Sequence, residues 1–224
     1  LAAVVVVSGV AEAAQGPQLR PGVYRRLQAI QELLAEEAYA KAQSRLAELL
    51  PAVEGAAYEE AVVLRLWASL HLARDDYPRA ADRLARCLET GGLPEAEARR
   101  TRYDLAQLYA ATEAYAKAVA LLEPWLETAE DPPARAFLLL GRARAELGRK
   151  RAAAEAVAEA IRRADAPKES WYRFLLALYF ELEDLPATTT SDGSVRARSS
   201  SNCSPIPAAR NSRPDTRAGR TGAS

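Results

Sequence analysis

Few side chains in this sequence are of the types that do chemistry. The 224 residues include a single histidine, His71, and two cysteines, Cys87 and Cys203. A zinc site takes several Cys or His ligands at close spacing, and these three residues are scattered along the chain. Two cysteines also make no disulfide framework. The residue types therefore predict no metal site and no disulfide-rich domain.

Catalytic motifs are missing from the sequence as well. It has no G-x-S-x-G, no glycine loop for phosphate and no Cys/His nucleophile pair. The acidic pairs Glu36-Glu37 and Glu59-Glu60 lie in helical patterns and are interpreted as solvated helix faces. A helical-repeat hydrolase would need a catalytic acid in a suitable setting, which we do not find. We expect no catalytic residue, no cofactor and no enzymatic activity.

His71 and Cys87 are interpreted as packing residues. His71 follows Trp67 by one helical turn, which favours a packed or interface histidine. Cys87 lies in a periodic apolar helix, where a free thiol packs as a small hydrophobe. Neither residue is expected to react.

The charge balance indicates what the chain does not bind. Lys and Arg together number 30, as do Asp and Glu. From Ala187 onward the sequence has six arginines and two acidic residues, Asp192 and Asp215. The formal net charge is therefore about +4 for this tail and about −4 for the rest of the chain. A nucleic-acid-binding protein would show a basic stripe on its body. We therefore expect no nucleic-acid partner.

An internal repeat organises the chain. The segment Glu36–Ala42 returns as Arg74–Ala80 and again as Thr112–Ala118, at a spacing of 38 residues. A fixed period of this length means that one supersecondary unit is stacked on copies of itself. The tyrosines that mark the unit are Tyr39, Tyr77 and Tyr115.

Apolar residues at three-and-four spacing predict helices throughout the repeats. The interiors are rich in Ala, Leu, Glu and Arg, which are strong helix formers. Prolines at helix starts cost no hydrogen bond there. The predicted helices, paired in order, are 23–35 with 39–50, 57–74 with 77–90, 94–111 with 115–128, 133–147 with 149–165, and 167–183 as the first half of a fifth pair.

Small residues recur where the paired helices would cross. They follow a bulky neighbour in Trp67-Ala68, Leu105-Ala106 and Leu140-Gly141, and the second helices carry Ala80, Ala118 and Ala153. This two-helix unit resembles the tetratricopeptide repeat over roughly residues 23–185. The resemblance implies an all-α, right-handed α-α superhelix of about four and a half helix pairs, which binds rather than catalyses.

The resemblance also implies a binding groove. First helices of tetratricopeptide pairs line a concave surface that holds an extended peptide or a partner helix. Arginine there suits acidic groups, because guanidinium pairs bidentately with carboxylate; the alternative is that exposed arginine only solubilises the helix. The Asn pair of the carboxylate-clamp subclass is absent. The corresponding positions are Arg65, Ser69, Arg100, Tyr103, Gln107, Arg135, Leu138 and Arg142.

The two ends of the sequence differ from its repeats. Leu1–Val7 is apolar and precedes Ala11-Glu12-Ala13, which predicts a signal-peptide remnant at 1–13 that is too short to span a bilayer. A linker is predicted at 14–22. Residues 186–224 are rich in Ser, Arg and Thr, which predicts a disordered tail. Because this change falls where the fifth pair needs its second helix, we hypothesise a frameshift, which would leave an apolar surface open on helix 167–183.

Two phrases carry a narrower resemblance. "LLEPWLE" around Trp125 and "PKESWYRFLLALYFELED" around Trp171 are similar to a group of exported proteobacterial tetratricopeptide proteins described as components of the TonB system. The resemblance implies a periplasmic scaffold linked to TonB-dependent uptake, with no membrane span in the mature chain. The alternative is an assembly or chaperone-like adaptor for other envelope machinery. Both tryptophans are interpreted as packing residues between repeats.

Overall fold

The computed structural model describes residues 18–183, and regular structure in that range is entirely helical. Every predicted helix is present, with ends within about two residues of the prediction. The predicted signal remnant and tail lie outside the described residues, as do residues 14–17 of the linker. The helices are α1 (Pro21–Ala35), α2 (Tyr39–Leu49), α3 (Ala57–Ala73), α4 (Tyr77–Glu89), α5 (Glu95–Ala111), α6 (Tyr115–Thr128), α7 (Ala134–Glu146), α8 (Lys150–Arg163) and α9 (Glu169–Glu183), with a 3-10 turn at Pro51–Val53.

The prolines act at slightly different positions from those expected. Pro21 and Gly22, assigned to the linker, form the first turn of α1, with Arg20 as its N-cap. Pro94 and Pro133 are themselves N-caps, with extended backbone, rather than the first helical residues. In each case the proline lies outside the hydrogen-bonded helix interior, where its missing N–H would cost stability.

Helices that are neighbours in sequence pack on each other through the described range. The pairs α1–α2, α3–α4, α5–α6 and α7–α8 are joined by α2–α3, α4–α5, α6–α7 and α8–α9 contacts, and first helices also meet at α1–α3 and α5–α7. The core is a series of clusters strung along this stack rather than one centre. This arrangement confirms the predicted all-α solenoid, in which each unit contacts only its neighbours.

Small residues bring the two helices of a pair close together, as predicted. Ala68, Ala106 and Gly141 on the first helices are all buried. At Gly141 the approach leaves no room for a side chain, because a Cβ there would lie 2.6 Å from Val157 Cγ2 and 3.2 Å from the carbonyl oxygen of Ala153. On the second helices Ala80, Ala118 and Ala153 are fully buried.

The two helices of each complete pair are joined by the same backbone turn. The second residue after the end of each first helix has a left-handed φ, at Glu37 (56°), Asp75 (55°), Glu113 (60°) and Gly148 (73°). The next N–H bonds the carbonyl five residues back, for example Ala38 to Leu33 at 2.8 Å and Arg149 to Arg144 at 2.9 Å. These are Schellman motifs, in which glycine is the usual residue. Three of the four carry an acidic residue instead.

Glu59 contradicts its interpretation as part of a solvated face. It is only 4% exposed. Its carboxylate accepts hydrogen bonds from the Arg20 backbone N–H and from Arg20 Nε, both at 2.7 Å. The Arg20 side-chain hydrogen bond holds the pKa of Glu59 below its ordinary value. This pair ties the start of α1 to the first turn of α3.

Gly141→Ala should lower the free energy of unfolding by about 1–3 kcal/mol, because the added methyl must displace Val157 or spread α7 from α8. Gly22→Ala is the matched control, since a Cβ there meets nothing within 4 Å and alanine favours helix by up to about 1 kcal/mol. Urea unfolding followed by circular dichroism measures both. Equal effects of the two changes would contradict the close approach of α7 and α8.

Glu37→Gly and Glu113→Gly should each raise the free energy of unfolding by about 0.5–1 kcal/mol. The left-handed conformation costs a non-glycine residue about 1–2 kcal/mol, and the greater freedom of glycine in the unfolded chain offsets part of that gain. Gly148→Ala should act in the opposite direction by about 1 kcal/mol. Urea midpoints test the set, and destabilisation by both glycines would refute the turn geometry.

Glu59→Gln should lower the thermal midpoint at pH 7 by a few degrees and flatten its acid dependence. Because the folded pKa of Glu59 lies below the unfolded value of 4.5, the stabilisation is complete above pH 4.5 and is lost as pH falls through the folded pKa. Thermal melts of wild type and variant should therefore converge in acid. Glu60→Gln, on the next residue, should leave the pH dependence unchanged; a similar flattening there would argue against the Arg20 pair.

Candidate partner-binding groove

The candidate groove is the face formed by the predicted residues of α3, α5 and α7, called here the groove face. Helices α5 and α7 contact each other directly. An ion pair between Arg65 and Glu97 connects α3 to α5. The eight predicted residues therefore lie on adjacent helices.

The α5 part of the groove face combines exposed polar residues with one ordered aromatic ring. Arg100 and Gln107 are exposed, and Tyr103 between them is half-buried. Their spacing of three and four residues places all three on one side of the helix.

Trp125 of α6 holds Tyr103 in place. The two rings stack with centroids 4.8 Å apart and planes 20° from parallel. Trp125 Nε1 donates a hydrogen bond to the Arg99 carbonyl oxygen at 2.9 Å, which anchors the indole to α5. These contacts of Trp125 are with α5, the other helix of its own pair, and the interpretation of Trp125 as a packing residue between repeats stays a prediction. Trp171, interpreted in the same way, is half-buried near the start of α9.

Arg65 is engaged within the chain. Its guanidinium bonds the Glu97 carboxylate, and the backbone carbonyl of Arg65 accepts a bond from the Ser69 hydroxyl at 3.2 Å. Both Arg65 and Ser69 are half-buried. A partner carboxylate would have to compete with Glu97, so Arg65 is a weaker candidate contact than Arg100. Helical periodicity does not predict a pair between residues 32 positions apart.

Asp104 is a groove residue that the sequence analysis missed. It follows Arg100 by one turn on the same side of α5. Although much of its surface is exposed, the protein crowds its carboxyl enough to raise the pKa of Asp104, and Arg100 and Arg65 oppose that rise. The groove face is therefore mixed in charge rather than uniformly basic.

The α7 part of the groove face divides into two kinds of residue. Arg135 and Arg142 are exposed, and Arg135 lies near enough to Tyr103 to favour its phenolate, although burial of the ring dominates and raises the pKa of Tyr103. Leu138 instead packs against the cluster of Ala153, Val157 and neighbours. Leu138 therefore belongs to the apolar packing beneath the groove face and is less accessible to a partner than Arg135 or Arg142.

The two chemically reactive residue types of the repeats are buried in the described residues. His71 is 3% exposed, with Nδ1 3.6 Å from Asp76 Oδ2, and burial lowers the pKa of its imidazole. Cys87 donates from Sγ to the Ala61 carbonyl oxygen at 3.3 Å, and burial raises the pKa of its thiol to about 12. Both packing interpretations are confirmed.

The main candidate functional feature among the described residues is the exposed groove face. Between residues 18 and 183, His, Cys, Asp and Glu side chains nowhere gather in threes as a metal ion would require. None of the helices in the same range is long and apolar enough to cross a bilayer. The groove face presents guanidinium groups beside an ordered tyrosine, a combination suited to carboxylates and to flat apolar groups.

Comparisons with known proteins bear on the fold. No protein-family model matches this chain, and no curated protein matches it. Among solved structures, the chain is similar to "MamA RS-1 ArsTM double mutant", with a TM-score of 0.60 and 18% identity over 75% of this chain and 88% of that chain. It is also similar to "MamA 41-end from Desulfovibrio magneticus RS-1", with a TM-score of 0.59 and 18% identity over 75% and 89%. At this identity the likeness shows the fold alone, and that fold is an all-α solenoid of the tetratricopeptide type.

Proposed function

We propose that this chain is a non-enzymatic scaffold whose groove face binds an acidic extended peptide or partner helix. One observation carries the proposal. Arg100 and Arg142 are exposed on α5 and α7 and make no hydrogen bond or ion pair with the described residues. Their guanidinium groups are free to meet carboxylates from outside the chain.

The ordering of Tyr103 supports the same proposal. Binding loses free energy when a mobile side chain must be fixed at the interface. The stack on Trp125 and the bond from Trp125 to the Arg99 carbonyl fix the ring beforehand. Tyrosine and arginine are also the residue types that carry much of the energy of protein interfaces.

We extend the proposal to a location and a partner class. The apolar run Leu1–Val7 followed by Ala11-Glu12-Ala13 favours export to the periplasm. The phrases around Trp125 and Trp171 favour association with TonB-dependent uptake, by their resemblance to exported tetratricopeptide proteins. The second candidate is an assembly or chaperone-like adaptor for other envelope proteins, which the same exported solenoid would suit.

Arg100→Glu combined with Arg142→Glu should reduce partner recovery at least about tenfold, which corresponds to roughly 1.4 kcal/mol. Reversing both charges replaces attraction to partner carboxylates with repulsion, and neither change breaks an internal ion pair. Tagged chain expressed in a proteobacterial periplasm, cross-linked and purified, is compared with the variant by quantitative mass spectrometry. Helicity by circular dichroism should be unchanged.

Arg86→Glu combined with Arg151→Glu is the matched control, since it makes the same charge change at exposed positions of the second helices α4 and α8. Partners that survive this control and disappear with the groove variant are groove ligands. TonB, ExbD or a TonB-dependent receptor among them supports the uptake role; other envelope assembly proteins support the adaptor role. Equal recovery with both double variants refutes the groove.

A further inference from the structure

Helix α9 has two apolar faces, and α8 covers one of them. Leu178 is buried, and Phe174, Leu175 and Leu182 pack with it against Ala153, Ala154 and Val157. The other face carries large apolar side chains that nothing in the described range covers. They are Tyr172 (50% exposed), Leu176 (55%), Tyr179 (48%) and Phe180 (58%), called here the open face of α9.

The sequence that follows α9 offers little to cover the open face. Residues 187–224 contain no leucine and no aromatic residue. An apolar helix that could pack on three rings and a leucine therefore has no counterpart in that stretch. Exposed apolar patches of this kind, rimmed by polar residues, commonly mark protein interaction sites.

The open face is complementary to itself. Tyr172 and Phe180 each lie four residues from Leu176, on opposite sides of it in sequence. If two copies of α9 cross antiparallel about a two-fold axis at Leu176, Leu176 meets its own equivalent and Tyr172 meets Phe180 of the second copy. Such isologous contacts close a dimer without leaving a surface for further growth.

The composition of the open face agrees with this arrangement. The apolar set contains no charged side chain, so the crossing buries no unpaired ion. Arg173 pairs with Glu169 at 2.6 Å at the edge of the face. In the antiparallel crossing Arg173 stands opposite Tyr179 of the second copy, where a guanidinium over a ring is attractive.

We propose that a second copy of this chain covers the open face of α9 and forms a closed two-fold dimer. The interface is independent of the groove face, which lies on α3, α5 and α7. Each dimer would thus present two grooves, and a partner with two binding segments would gain avidity from them.

Sedimentation velocity of the full chain over about 1–100 μM tests the dimer. The expected result is a concentration-dependent shift to twice the monomer mass. Leu176→Glu places two carboxylates together at the two-fold axis and should weaken association at least tenfold. Leu72→Glu is the control, since Leu72 is also an exposed leucine, at 36%, but lies on α3; it should leave association within about twofold.

Cysteine cross-linking tests the antiparallel register. In a Cys203→Ser background, Leu176→Cys should form a disulfide with itself, because residues facing across the axis fall within the range of about 4.4–6.8 Å between Cα atoms that a disulfide allows. Tyr172→Cys and Phe180→Cys should each fail alone and should cross-link when mixed. Cys87 is buried and should not take part in the cross-linking.

Four outcomes would overturn the proposal. If the chain remained monomeric up to about 100 μM, its own tail or another protein would cover α9. If association continued beyond twice the monomer mass, the assembly would be open rather than a closed dimer. If Leu176→Glu associated as tightly as Leu72→Glu, the interface would lie elsewhere. If Tyr172→Cys cross-linked alone as readily as the mixture with Phe180→Cys, the helices would cross in another register.

Discussion

The close approach of two helices through small residues is the constraint on which this solenoid depends. Ala68, Ala106 and Gly141 leave room for the second helix of each pair. If the distance between the two helices of a pair increased, the tyrosine and leucine clusters between units would lose their packing. Each of these clusters contains residues from one helix pair and from its neighbour. The spacing of α3, α5 and α7, and with it the groove face, follows from how closely each pair packs.

Much of the fold could be predicted from the sequence, because the signals are local and recur. Helical periodicity, together with the tyrosine at the start of α2, α4 and α6, located every described helix within about two residues. The turns were located but their chemistry was not, since Glu37 and Glu113 adopt a backbone conformation that usually signals glycine. Glu59 was misjudged for another reason. Its partner, Arg20, is 39 residues away, and helical periodicity says nothing about contacts at that separation.

The groove could be predicted only in outline. Register along the repeat placed Arg100, Tyr103 and Arg142 on the first helices with the expected exposure. It could not show that Arg65 pairs with Glu97, or that Trp125 supports Tyr103 from the neighbouring helix. The Arg65–Glu97 pair depends on the angle between successive units, and the stack of Trp125 on Tyr103 depends on how α5 and α6 pack within one unit. The sequence pattern states neither. Pairing between units therefore decides which arginines are available.

The recurring Schellman turn has a consequence for how such a chain can change over time. The joints at Asp75 and Glu113 have the same backbone path and are 38 residues apart. A gene segment that begins at one joint and ends at the next encodes one complete module with matching ends. Duplication or loss of that segment would lengthen or shorten the groove by one step while the remaining joints kept their geometry. Repertoires of grooves of different length can thus evolve from one ancestral module, without redesign of its core.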